Sequence, residues 1–114
     1  MDLGLKGKCA LVTGGSMGIG RAAALALGEE GCRVAIAARG REALAQAAAE
    51  IARHAGVEAI AVQADCTRPA EVRRMVGEVL ERFGRIDILV NSIGSAKSGH
   101  FLRLTDEQWR ESLE

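Results

Sequence analysis

The segment Thr13-Gly14-Gly15-Ser16-Met17-Gly18-Ile19-Gly20 follows an apolar run, Cys9-Ala10-Leu11-Val12, and opens a helical pattern. A strand that turns through glycines into a helix builds a phosphate site. The glycines allow a tight turn and a close backbone approach, and the helix N-terminus offers unpaired N–H groups and the positive end of its dipole. The spacing is G-x-x-x-G-x-G, not the commoner G-x-G-x-x-G of dinucleotide sites. Three later apolar runs also end in polar or glycine residues: Arg39-Gly40-Arg41, Asp65-Cys66 and Asn91-Ser92-Ile93-Gly94. In parallel α/β sheets, ligands bind beyond the carboxyl ends of the strands. Four such ends are a more specific signal than the glycines alone.

Arg39 discriminates between ligands. An NAD site usually holds an acidic residue after the second strand for the ribose 2′-hydroxyl, whereas an NADP site carries a cation for the 2′-phosphate. Here Ala38 stands at the acidic position and Arg39 follows it. A guanidinium fork suits a phosphate, so the sequence favours NADP(H) over NAD(H). The competing reading of Arg39 is a solvated charge at a strand end. Arg41 either assists or is an ordinary first-turn helix residue. Asp65 either accepts a hydrogen bond from an adenine amino group or caps a local turn, and the two roles are compatible. Asn91 ties strand ends together, touches the cofactor, or does both.

These residues need a scaffold, and the hydrophobic pattern supplies one. Strands are predicted at Lys8–Thr13, Arg33–Ala38, Val57–Gln63 and Ile86–Val90. Helices are predicted over Ile19–Glu30, Arg41–Ala55 and about Arg68–Phe83. Ala22, Ala23, Ala26 and Leu27 should line the buried face of the first helix. Leu44, Ala48, Ile51 and Ala55 should line the second, and Val72, Met75, Val76, Val79 and Leu80 the third. Gly31, Gly56 and Gly84 should end them as C-caps. Thr67 is expected to cap the third helix, and Thr105-Asp106-Glu107-Gln108 to open a fourth. Strands apolar on both faces that alternate with helices indicate a parallel sheet covered on both sides.

Composition narrows the class further. The chain has 114 residues, enough for one domain. Fifteen basic and fifteen acidic residues give zero net charge, which argues against nucleic acid or an anionic membrane as partner. No apolar stretch approaches the ~20 residues of a membrane span, and the first residues lack a signal-peptide core. Cys9, Cys32 and Cys66 are widely spaced and odd in number. They are expected to be buried reduced thiols in a cytoplasmic protein, with no metal site.

Together, Thr-Gly-Gly-Ser-Met-Gly-Ile-Gly, Ala38-Arg39, Asp65-Cys66-Thr67 and Gly84-Arg85-Ile86-Asp87-Ile88-Leu89-Val90-Asn91 resemble the short-chain dehydrogenase/reductase family. The similarity covers essentially the whole chain and extends to Phe101-Leu102-Arg103-Leu104-Thr105-Asp106-Glu107-Gln108-Trp109. It implies a Rossmann-type doubly wound parallel sheet, of which residues 1–114 would form the N-terminal half with about four strands and four helices. It also implies NAD(P)(H)-dependent redox at a carbinol or carbonyl carbon of a small molecule. Gly14, Gly18 and Gly20 would form the pyrophosphate turn, with Ser16, Met17 and Ile19 in the same segment. Asp65, with Cys66 beside it, would meet the adenine. Asn91, Ser92 and Gly94 would belong to the family's Asn-Asn-Ala-Gly motif, in which Ser92 and Ile93 depart from the pattern. Met17 stands where many NADP-linked relatives carry a basic residue.

The third departure concerns catalysis. The family's catalytic Ser, Tyr and Lys lie on and after the fifth strand, and this chain contains no tyrosine. Ser92, Ser95 and Ser98 match no catalytic position, and Lys97 and His100 are expected to be solvated loop residues. No catalytic residue is therefore assigned. The last helical stretch lacks a stop signal, and with strand order 3-2-1-4 the apolar fourth strand would be an open edge. The chain thus reads as the cofactor-binding segment of a longer oxidoreductase, inactive alone, whose intact form is expected to be a homo-oligomer. The alternative is a non-catalytic module that binds or senses NADP(H). A methyltransferase on the same sheet is disfavoured because Ala38 offers no carboxylate for a ribose diol.

Overall fold

The computed structural model describes residues 4–14 and 18–92. Within them the elements run β1 (Cys9–Thr13), α1 (Gly18–Glu29), β2 (Arg33–Ala38), α2 (Arg41–Ala55), β3 (Ala59–Gln63), α3 (Pro69–Phe83) and β4 (Ile88–Asn91). The four strands form one parallel sheet in the order β3-β2-β1-β4. This is the doubly wound arrangement that the alternation predicts. The expected fourth helix and the Phe101–Trp109 stretch lie outside the described residues.

Alternation along β1 builds both halves of the core. Cys9 and Leu11 face one side with Ala35 and Ala37 of β2, under Met75, Val76, Val79 and Phe83 of α3. Ala10 and Val12 face the other with Val34 and Ile36, under Ala24 of α1 and Leu44, Ala47, Ala48 and Ile51 of α2. A strand buried on both faces reads as continuously apolar, and every residue of β1 is buried. The outer strands differ. On β3, Ile60 and Val62 are buried while Ala61 and Gln63 are exposed, and β4 is half-buried throughout. The expectation that all strands are covered on both faces therefore holds for the central pair only, because the outer strands have a neighbour on one side.

Two local expectations are corrected. The buried face of α1 is Gly20, Ala24 and Gly28, not the face of Ala22 and Ala26, both of which are exposed. Gly28 approaches α2 so closely that a Cβ there would lie 3.1 Å from that of Ala55. Small residues at spacing four let α1 lie tightly on the sheet and on α2. Thr67 does not cap α3. The N-cap is Arg68, with Pro69 in the first turn, because the Thr67 hydroxyl is engaged by Asp65 at 2.6 Å. Gly56 and Gly84 do cap α2 and α3 in the left-handed conformation.

Cys9 and Cys32 are buried in clusters on opposite faces of the sheet, so they cannot pair without refolding. Burial pushes the Cys32 and Cys66 thiols up. No group of metal-ligating side chains occurs among the described residues. Among the same residues no helix is long and apolar enough to cross a membrane.

Candidate functional site

The register brings the four strand ends together. Thr13 stands opposite Ala37 of β2 and Asn91 of β4, and Ala38 stands opposite Gln63 of β3. The sheet order reverses at β1, so the crevice where a ligand enters such folds lies beyond Thr13 and Asn91.

Three groups lock this crevice. The buried Thr13 hydroxyl donates to Asn91 Oδ1 at 2.8 Å. The Ser92 hydroxyl donates to the Thr13 carbonyl at 2.9 Å, and the Ser92 N–H reaches the same oxygen at 3.1 Å. Gly14 takes a left-handed φ of 74°, and a Cβ there would sit 2.9 Å from the Ser92 carbonyl oxygen. A Cβ on Gly20 would collide with the Gly14 carbonyl oxygen and the Ser92 hydroxyl. Gly14, Gly20 and Ser92 thus form one packed knot that seats the start of α1 against β1 and β4. Serine fits the knot at position 92 as a compact donor. Asn91 holds the strand ends together, as one of its readings predicts.

Gly18 differs from these two glycines. Its φ is 60°, and among the described residues no atom beyond its chain neighbours and its own helix backbone lies within 4 Å of the place a Cβ would take. It stands at the first turn of α1. That turn carries no acidic residue, so nothing there offsets the attraction of the helix dipole for an anion. Ile19 beside it is 52% exposed and is the exposed large hydrophobic residue among the described ones.

At the end of β2, Arg39 is exposed, and among the described residues no hydrogen bond or ion pair engages its guanidinium. Its carbonyl accepts a hydrogen bond from Gln63 Nε2 at 2.9 Å. Arg41 behaves differently, since its Nε and Nη2 both donate to Gln63 Oε1, at 3.3 and 3.1 Å.

Beyond β3, Asp65 accepts bonds from the Thr67 hydroxyl at 2.6 Å and the Thr67 N–H at 3.0 Å, both at Oδ1. Those bonds hold the carboxyl below its ordinary value. Slight desolvation opposes them, and the Arg39 and Arg68 charges assist. The local-turn reading of Asp65 is therefore met by one oxygen, while Oδ2 has no partner among the described residues. The Cys66 thiol lies 3.8 Å from the Met75 sulfur and packs in the α3-side cluster. Ser16, Met17 and Gly94 lie outside the described residues.

Sequence reasoning did not single out Thr13 or Gln63. Thr13 hid inside the glycine segment, and Gln63 looked like an ordinary polar strand end. The readable signal for Gln63 was its place opposite Ala38 once the strands are aligned.

Residues 8–114 match the short chain dehydrogenase family. The chain belongs to that family. Among short chain dehydrogenases it is 41% identical over 107 residues to the 3-oxoacyl-(acyl-carrier-protein) reductase FabG of Staphylococcus epidermidis, covering 94% of this chain and 44% of the relative. Among solved structures, L-sorbose reductase of Gluconobacter frateurii, complexed with NADPH and L-sorbose, superposes with a TM-score of 0.82 at 36% identity. That match covers 97% of this chain and 42% of the reductase. An NAD+-bound xylitol dehydrogenase superposes with a TM-score of 0.72 at 42% identity, covering 75% of this chain and 32% of that one. The chain thus spans less than half the length of these relatives. The chain is similar both to a reductase complexed with NADPH and to an NAD+-bound dehydrogenase.

Proposed function

We propose that this chain is the dinucleotide-binding part of an NADP(H)-preferring short-chain oxidoreductase. In this reading hydride passes between the bound nicotinamide and an alcohol or carbonyl carbon of a small molecule. The observation that carries the preference is Ala38 followed by an exposed Arg39 whose guanidinium makes no hydrogen bond or ion pair among the described residues. An NAD site would want a carboxylate at the strand end, and alanine cannot bond a ribose hydroxyl. A guanidinium fork there matches a 2′-phosphate.

The other groups fit a dinucleotide. Among the described residues nothing crowds Gly18 at the N-terminus of α1, where a pyrophosphate gains from N–H groups and dipole. Ile19 offers an apolar surface that a ligand would cover. The Asp65 carboxylate is ionised at neutral pH, and Oδ2 can accept from an adenine amino group. Thr13, Asn91 and Ser92 keep the crevice floor in register. Ser16, Met17 and Gly94 remain assigned to the site by their motifs. Cys66 follows Asp65 directly in the chain.

The test is a titration of NADPH and NADH into the complete gene product and its Arg39→Ala variant. Losing a charge-assisted phosphate contact should weaken NADPH binding by roughly 10- to 100-fold and leave NADH within about threefold of the parent. Equal losses for the two cofactors would make Arg39 a surface charge. A second reading, a non-catalytic NADP(H)-binding module, is favoured by the absence of tyrosine from all 114 residues. Under either reading, residues 1–114 alone should show no NADPH-dependent carbonyl reduction. Measurable turnover by them would refute both.

A further inference from the structure

Gln63 stands at the centre of the cationic rim of the site. It ends β3 opposite Ala38. Its Nε2 donates to the Arg39 carbonyl at 2.9 Å. Its Oε1 accepts both donors of Arg41. Its main-chain oxygen accepts Arg74 Nη2 at 2.6 Å. Arg74 is held in turn by Glu71 and Glu78, and Glu71 Oε1 accepts the Asp65 N–H at 3.4 Å. One glutamine therefore connects the backbone that carries Arg39, the neighbouring Arg41, and the turn that carries Asp65.

We propose that Gln63 is a positioning residue for dinucleotide choice: it fixes the Arg39 main chain and binds Arg41, so that Arg39 rather than Arg41 presents its guanidinium to a 2′-phosphorylated ribose. The inference rests on the reading of Arg39 given above. A carboxamide suits the task because it donates and accepts at once. Glutamate in its place would still accept from Arg41, but it could not donate to the Arg39 carbonyl. It would also set a negative charge beside the expected phosphate. Methionine would keep the length and lose both bonds.

The test uses the complete gene product and compares the ratio of NADH to NADPH dissociation constants, with adenosine 2′,5′-bisphosphate and AMP as shorter probes of the 2′-phosphate. Gln63→Met should reduce the ratio about three- to tenfold, the effect of one lost hydrogen bond on the phosphate contact. Gln63→Glu should reduce it further, by about tenfold or more, and the added loss should shrink as salt is raised. Gln63→Met that weakens both cofactors equally, or leaves both unchanged, would overturn the proposal. If that variant does not fold, Arg41→Met decides. The ratio should stay within about threefold of the parent, because Gln63 still holds the Arg39 carbonyl. A collapse of the ratio there would show Arg41 to be the phosphate ligand and would overturn the proposal. Arg39→Ala, measured alongside, separates the two levels. If it abolishes the preference while Gln63 variants keep it, the positioning role fails and the Arg39 reading stands. If Arg39→Ala leaves the ratio unchanged, the reading and the inference fall together.

Discussion

Asp65 shows how one carboxylate oxygen can close a local turn while the other is left without a partner among the described residues. Its Oδ1 takes both Thr67 donors, an i to i+2 pattern that competes with helix capping. This is why Thr67 closes the turn and leaves the α3 cap to Arg68. The Thr67 hydroxyl is the largest cause of the lowered carboxyl, so Thr67→Val should let Asp65 titrate at higher pH, closer to an ordinary aspartate. An NMR titration of the carboxyl carbon reads this directly, and an unmoved midpoint would assign the shift elsewhere. Sequence alone named Asp65 as a site residue because its place after a strand is visible. It could not decide between turn and ligand, because that depends on which oxygen points where. Gln63 was missed for a related reason. Its partners, Arg39 and Arg41, are more than twenty residues away and become neighbours only through β2–β3 pairing.

Helix α1 carries the same lesson to the level of elements. The strands and helices fall within a few residues of their predicted bounds, since a glycine after each helix and an apolar run after each glycine mark them clearly. The buried face of α1 was less legible because alanine appears on nearly every side of it. A period cannot be read from residues that are small everywhere. The buried face runs through Gly20, Ala24 and Gly28, and glycines carry no hydropathy signal. The two kinds of helical glycine should respond oppositely to a methyl group. Gly20→Ala drives a Cβ into the Gly14 carbonyl and the Ser92 hydroxyl, and it should cost about 1–3 kcal/mol as overpacking. Gly77 sits exposed within α3, and among the described residues nothing outside its own helix backbone and chain neighbours lies within 4 Å of a new Cβ. Gly77→Ala should stabilise the fold by roughly 0.4–1 kcal/mol through the unfolded chain. Urea unfolding of both variants checks the pair. Changes of the same sign would show that the backbone, not the contact, governs these positions.

Across the whole molecule, the sheet is fastened at both ends by different chemistry. The carboxyl ends use the Thr13, Asn91 and Ser92 bonds around the crevice. The amino ends use charge. Arg33 donates to the Phe83 carbonyl at 3.2 Å and lies 5.1 Å over the Phe83 ring, which ties α3 to β2. Asp87 accepts the Cys9 N–H and Arg85 Nε, each at 2.9 Å, which ties the start of β4 to β1. Desolvation pushes the Asp87 carboxyl up, but the Cys9 N–H and the Arg85 charge outweigh it and hold the group below its ordinary value. The sign of the linkage follows. A carboxyl lowered by folding adds stability above the unfolded value, about 3.9, and that stability is lost as pH falls through the folded value. Asp87→Asn keeps an acceptor for Cys9 but removes the charge. The parent should exceed the variant in stability at pH 6, and the gap should close as pH drops below about 4. Denaturant unfolding across pH 3 to 6 measures it, and a gap constant over that range would show that the Asp87 charge is not linked to folding. Dinucleotide affinity at neutral pH should stay unchanged in the same variant, because Asp87 lies at the opposite end of the strands from Thr13 and Asn91. A loss of affinity would mean that the amino-end fastening sets the register of the crevice.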